Sequence, residues 1–267
     1  MNSWTNFVTV GGKGFVWLLA WSWQSLLLLG GTWLGLKIWR AKSPALRHHL
    51  WLAALVAVTL LPMLSAAIER LPLPQSNSRA LAYVPAIPQP AITIELPATV
   101  NNAAVAEVPG TPNKLSVFLA AIFWIWAIGV LILLIRFWRR QLVLRRLRSA
   151  ALPVSPTELG CADVKGIKLG LSPQINSPVL LGAWRPVILL PADIADWATA
   201  DERRAMIRHE LAHIARRDHQ TNLFQNLLGA IFYFHPMVRF ACRQLQIERE
   251  IACDDEVIHS GVEASLY

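Results

Sequence analysis

"HELAHIARRDH", residues 209–219, is the stretch on which the reading of this chain turns. Side chains four apart on a helix lie nearly one above the other, so His209 and His213 offer two imidazoles to one point, with Glu210 beside them. Zn²⁺ accepts neutral imidazole nitrogens and brings the pKa of bound water toward neutrality, and a neighbouring glutamate can take that water's proton and pass it to a leaving amine. The motif predicts one zinc ion per chain on His209 and His213, with Glu210 as catalytic base. The plain alternative is a surface helix with scattered histidines. Against it stands Thr199-Ala200-Asp201-Glu202, which fits a capping box and predicts a helix carrying Arg203 through about Arg217.

A catalytic zinc needs a third protein ligand. His219 would complete a longer histidine motif, but that motif needs glycine where Arg216 stands, so that the chain can bend and return its last histidine. Glu248 and Glu250 remain, in "QIEREIACDDEV". Glu250 is favoured because Asp254 lies four residues later on the same helical face and can hold the other ring nitrogen of a ligating histidine. Glu248 lies on a different face without such a neighbour. Asp218 reads equally as a helix-end cap and as a partner to a ligand. His235, in "FHP", reads as structural, with stabilisation of a tetrahedral oxyanion as the weaker alternative.

Ahead of the helix, "SPVLLGAWRPVILLP" (177–191) reads as two short extended pieces joined at Gly182-Ala183-Trp184, and "VKGIKLGLS" as a further strand. Val187, Ile188, Leu189 and Leu190 are expected to offer backbone to a substrate strand.

The N-terminal half has a different texture. The chain has 267 residues, is 54% hydrophobic and only 16% charged, and carries 12 tryptophans. Three charge-free runs, Phe15–Leu36, Leu50–Ile68 and Leu115–Ile135, each match a bilayer's thickness of helix. The basic flank Lys37, Arg40, Lys42 makes the first a retained span rather than a cleaved signal. Basic residues without acids fill 37–49 and 136–148, whereas 69–114 balances them. Positive residues stay on the cytoplasmic side. The expected plan is an external N-terminus (1–14), a span (15–38), a cytoplasmic connector (39–49), a span (50–68), an external Pro-rich loop (69–114), a span (115–136), and a cytoplasmic zinc-peptidase domain (137–267).

Net charge is +8, but the arginines of "RFWRRQLVLRRLR" abut a span, so membrane lipids rather than nucleic acid are their expected partner. The three cysteines, Cys161, Cys242 and Cys253, fall in the part expected in the cytosol and form no CxxC pair. Gln220–Val238 carries no charge. It is read as a core helix or one grazing the bilayer surface, because a single crossing would part His213 from Glu250 and two would need about forty residues, where only 36 intervene.

The succession His209-Glu210-Leu211-Ala212-His213, Arg217-Asp218, Phe234-His235-Pro236 and Glu250-x-x-Cys253-Asp254 resembles the bacterial membrane metallopeptidases that include the β-lactam-sensing antirepressors. The resemblance covers roughly 140–260, and "SPVLLGAWRPVILLP" is similar to the strand pair of that family. It implies a membrane protein of the bacterial inner membrane whose transmembrane α-helices precede an α+β zincin-like domain. It also implies zinc on His209, His213 and Glu250, and regulated cleavage of a cytosolic protein such as a transcriptional repressor, or of the enzyme itself. No Ser-x-x-Lys occurs, so β-lactam sensing is not expected of these residues, and the chain is expected to continue beyond Tyr267 in a longer parent. Self-association is left open. Two rival readings are a quality-control or prenyl-protein zinc peptidase, which the short His213–Glu250 spacing disfavours, and a non-catalytic receptor with a structural zinc, which has no need of Glu210.

Overall fold

The computed structural model describes residues 3–39, 43–70, 112–159 and 166–259. Most of the Pro-rich segment (71–111), Cys161 and residues 260–267 lie outside the described residues. Helices α1 (Ser3–Trp39), α2 (Pro44–Arg70) and α3 (Lys114–Ala150) carry the three charge-free runs and are long and apolar enough to cross a membrane. They precede an α+β unit, as the sequence suggests. Much of their apolar surface faces outward, including Trp23, Leu27, Ile125 and Ile128, the pattern of helices solvated by lipid. Where α1 and α3 meet, Gly11 lies so near Ala120 that an added Cβ would come within 2.6 Å of the Ala120 Cβ. Small residues permit this approach, which supplies packing where burial from lipid gains little. Two polar side chains inside the bundle are paired with backbone: Trp21 Nε1 donates to the Val58 carbonyl at 2.7 Å, and Ser25 Oγ donates to the Trp21 carbonyl at 2.7 Å.

Four strands form one sheet, β1 (Leu152–Val154), β2 (Lys168–Ser172), β3 (Val179–Leu181) and β4 (Val187–Pro191), in the order β1-β2-β4-β3. β2 and β4 are parallel; the outer pairs are antiparallel. Pro153 is tolerated because β1 is an edge strand, where a missing N–H breaks no inner ladder. The turn between β3 and β4 begins at Gly182, whose φ of +98° suits glycine.

β4 corrects the substrate-strand expectation. Val187, Ile188, Leu189 and Leu190 lie between β2 and β3 and are all buried, so both backbone edges are already taken. The edge strands are β1 and β3, and of these β3 borders the cleft that Glu210 lines.

After the short α4 (Ile194–Trp197), α5 (Ala200–Ala215) starts at the predicted capping box: Thr199 accepts from the Glu202 N–H, and the Glu202 carboxylate accepts from the Thr199 N–H at 2.7 Å. Its buried Ile207 packs with Leu169, Ile188, Leu190 and Ile194 in the sheet core. The helix stops where Arg217 adopts φ +59°, and α6 (Asp218–Ile231) sets off in a new direction.

The charge-free segment Gln220–Val238 becomes a helical hairpin, α6 and α7 (Pro236–His259), whose turn is buried against the three long helices. Of the two expectations, core packing holds, and the core is that of the bundle itself. Phe232 meets Trp21 edge-on with ring centroids 4.2 Å apart, and Trp126 Nε1 donates to the Ile231 carbonyl at 3.0 Å. The hairpin enters and returns by the same end, which keeps His213 and Glu250 together. His235 is part of this turn. Its ring bonds the Ser22 carbonyl at 3.0 Å through Nε2, and its Nδ1 accepts from the Val238 N–H at 3.3 Å. It therefore caps α7 ahead of Pro236, a residue suited to a helix's first turn. These bonds replace the oxyanion alternative with a structural role.

Candidate active site

One turn of α5 separates His209 from His213, and their Nε2 atoms face each other at 3.1 Å. α7 brings Glu250 to the same point, with Oε2 3.8 Å from His209 Nε2 and 3.7 Å from His213 Nε2. Ligand atoms about 2 Å from one tetrahedral ion stand roughly 3.3 Å apart, so the three side chains could hold a zinc-sized cation. Two imidazole nitrogens and a carboxylate oxygen are a donor set that Zn²⁺ accepts.

Each imidazole is oriented from behind. Asp218 Oδ2 lies 3.0 Å from His213 Nδ1, and Asp254 Oδ1 lies 3.4 Å from His209 Nδ1. A carboxylate at Nδ1 calls for the proton there and leaves Nε2 free as a ligand. Arg249 Nε donates to the other oxygen of Glu250 at 3.1 Å. Burial, reinforced by the neighbouring His213, lowers the pKa of His209, which favours the neutral form a ligand must have.

Asp218 resolves an ambiguity that its position in the sequence leaves open. It starts α6 and is almost wholly buried. Burial alone would favour its neutral form, but the hydrogen bond from His213 and the charge of Arg216 outweigh it and lower its pKa. Cys253 of α7 lies 3.1 Å from His213 Nδ1 and 3.5 Å from Asp218 Oδ2. His213, Asp218 and Cys253 thus form a second group of potential ligands. Burial first, and then Asp218, push the Cys253 thiol well above its ordinary pKa, so it behaves as a thiol donating to Asp218. Glu248, the rejected third-ligand candidate, has a distant partner: it is buried against Arg47 of α2, whose Nε donates to it at 2.9 Å.

Glu210 lines a cleft of about 250 Å³ together with His213, Glu250, His219, Asn222 and residues 178–180 at the β3 edge of the sheet. Burial raises its carboxyl pKa, Glu250 adds to the rise, and His213 opposes it. His219 and Asn222 were not assigned to the cleft from sequence. The left-handed Arg217 turns the chain and places them there, and no local pattern announces that turn.

Residues 24–264 match the family described as BlaR1 peptidase M56. The chain is 32% identical over 148 residues to the regulatory protein BlaR1 of Bacillus licheniformis, covering 52% of this chain and 24% of that protein. It is 24% identical over 144 residues to the regulatory protein BlaR1 of Staphylococcus aureus, covering 51% and 25%. Over 94 residues it is 27% identical to a methicillin resistance mecR1 protein of Staphylococcus aureus, covering 35% and 16%. The chain therefore spans a quarter or less of the length of these relatives. The family match takes in the second half of α1, the bundle, the sheet and the whole histidine–glutamate cluster: this chain belongs to the BlaR1 peptidase M56 family of membrane metallopeptidases and signal-transducing regulators.

Proposed function

We propose that the chain is a zinc metalloendopeptidase of the bacterial inner membrane, with zinc on His209, His213 and Glu250 and its active site on the cytoplasmic side. The carrying observation is the convergence of two Nε2 atoms and a glutamate oxygen, with a carboxylate behind each imidazole. His209, His213 and Glu250 would hold the ion, which when bound would polarise a carbonyl and acidify water. Glu210 takes the proton from the attacking water and delivers it to the departing amine. An extended substrate adds to β3, whose Val179 and Leu180 border the cleft.

Two basic segments share one end of the bundle with this cluster. In the first turn of α2, Arg47 reaches Glu248 and its neighbour His48 lies 4.0 Å from Asp218, and the arginine-rich end of α3 runs directly into β1. Positive residues mark the cytoplasmic face, which supports a cytosolic substrate. The regulatory relatives support a repressor-like protein, or the enzyme itself, as that substrate. The purified chain is expected to hold about one zinc. Glu210→Gln keeps the metal and loses cleavage, and cytosolic proteins compared between cells with the active and Glu210→Gln forms reveal a shortened target. Proteolysis retained by that variant would refute Glu210 as the base.

A further inference from the structure

We propose that an open cavity between α3, α6 and α7 binds the phosphate headgroup of an anionic phospholipid. The proposal rests on the reading of α1–α3 as membrane spans. Arg136 and Arg140 stand one turn apart on α3, and Arg239 and Arg243 one turn apart on α7, and all four line one space of about 940 Å³. Among the described residues no carboxylate lines it. Among the described residues none of these four arginines has an ion-pair partner, whereas Arg47, Arg204, Arg216 and Arg249 each have a carboxylate. Two rows of like charge across one cavity repel each other, and an anion between them removes the penalty. Guanidinium matches phosphate by paired N–H donors.

The cavity's other wall identifies the source of the phosphate. Leu133 belongs to the charge-free run of α3 and Arg136 is the first charge after it. The space therefore straddles the boundary between apolar span and basic stretch, with Tyr233 from the hairpin turn on the apolar side. A lipid meets that boundary with acyl chain on one side and headgroup on the other, and basic pockets between spans on the cytoplasmic side suit such headgroups. Of the six arginines in 136–148, only Arg136 and Arg140 line the cavity. The pair on α7 is invisible to any reading of that run alone.

The test uses the full chain in nanodiscs of phosphatidylcholine with a minor fraction of phosphatidylglycerol, with retained lipids counted by native mass spectrometry after extraction. The native chain is expected to retain phosphatidylglycerol selectively. Arg239→Gln with Arg243→Gln should lower that retention by about tenfold or more, while Arg145→Gln with Arg146→Gln, an equal loss of charge outside the cavity, should not. Gly229→Leu gives an independent route, since a Cβ at Gly229 meets no atom within 4 Å and the larger side chain fills part of the cavity. It should also reduce retention, with helix content by circular dichroism unchanged. Equal retention of both lipids, an equal loss in the control variant, or displacement by inorganic phosphate would each overturn the lipid site. Failure of the chain to enter nanodiscs would instead refute the spans, and none of these readouts depends on proteolysis.

Discussion

Among the described residues the buried apolar side chains form three clusters, and the candidate metal cluster draws on two of them, one under the sheet and one in the bundle. α5 stands on the sheet, its Ile207 packed among Leu169, Ile188, Leu190 and Ile194. α7 stands in the bundle, with Val238, Ala241 and Leu245 among Leu18, Trp21, Leu29 and Leu55. The first core positions His209 and His213; the second positions Glu250 and Asp254. The sheet unit by itself therefore holds two of three candidate ligands, and the third arrives only while the hairpin is seated among the long helices. α7 thus joins the bundle to the cluster, and Arg47 of α2 is paired with Glu248 on the same helix.

The comparison can be broken most severely at the chemistry itself. Glu210→Gln should cut cleavage by about 10²–10⁴-fold or more while zinc content, read by elemental analysis, stays near that of the native chain. Glu250→Ala should lose zinc although the sheet core is untouched. A variant that keeps its metal would show that the α5 histidines suffice and that the two cores are not joined at the site.

Truncating one buried side chain in each core should separate their energetics. Leu190→Ala in the sheet should cost about 2–5 kcal/mol in thermal or denaturant unfolding. Leu55→Ala in the bundle should cost less, because lipid is as apolar as the site and only packing is lost. Equal costs would argue that the bundle core is solvated as a soluble core is. The carboxylates behind the imidazoles give the next contrast. Each Asp→Asn change should weaken zinc by about 10–100-fold. Asp218→Asn should have the larger effect, since Asp218 is buried at 3.0 Å from its ring while Asp254 is half-exposed at 3.4 Å. A larger effect at Asp254 would reverse that ranking.

The smallest expected effect lies at the start of α5. Hydrogen bonds from the Thr199 backbone and hydroxyl lower the pKa of Glu202. Its stabilising contribution is thus present above the ordinary carboxylate range and is lost as pH falls through the lowered value. Glu202→Gln should flatten the acid side of the unfolding profile slightly, and an unchanged profile would show that this cap adds nothing to the sheet unit.

Much of this could be read locally. Three charge-free runs, a capping box, a histidine pair at helical spacing and a glycine between two apolar pieces are short-range patterns, and each predicts the element found. β4 was also within reach: VILLP is apolar throughout, the mark of a strand covered on both faces rather than one free to pair with substrate. Asp218 was harder, because its bond to His213 depends on Arg217 taking a left-handed conformation that little in its chemistry favours. Arg47 and Glu248 lie 201 residues apart, beyond any periodic signal.

The sequence by itself determined the long helices, the capped start of α5, the strands on either side of Gly182 and which imidazoles share a face, because backbone sterics, helical spacing and charge-free length act over a few residues. Only the tertiary structure decided that Glu250 meets those imidazoles, that Asp218 braces one of them, that the β3 edge borders the cleft, and that four arginines from two helices line one cavity. Those facts depend on how two cores settle against each other, and that packing is set by surfaces brought together from distant parts of the chain.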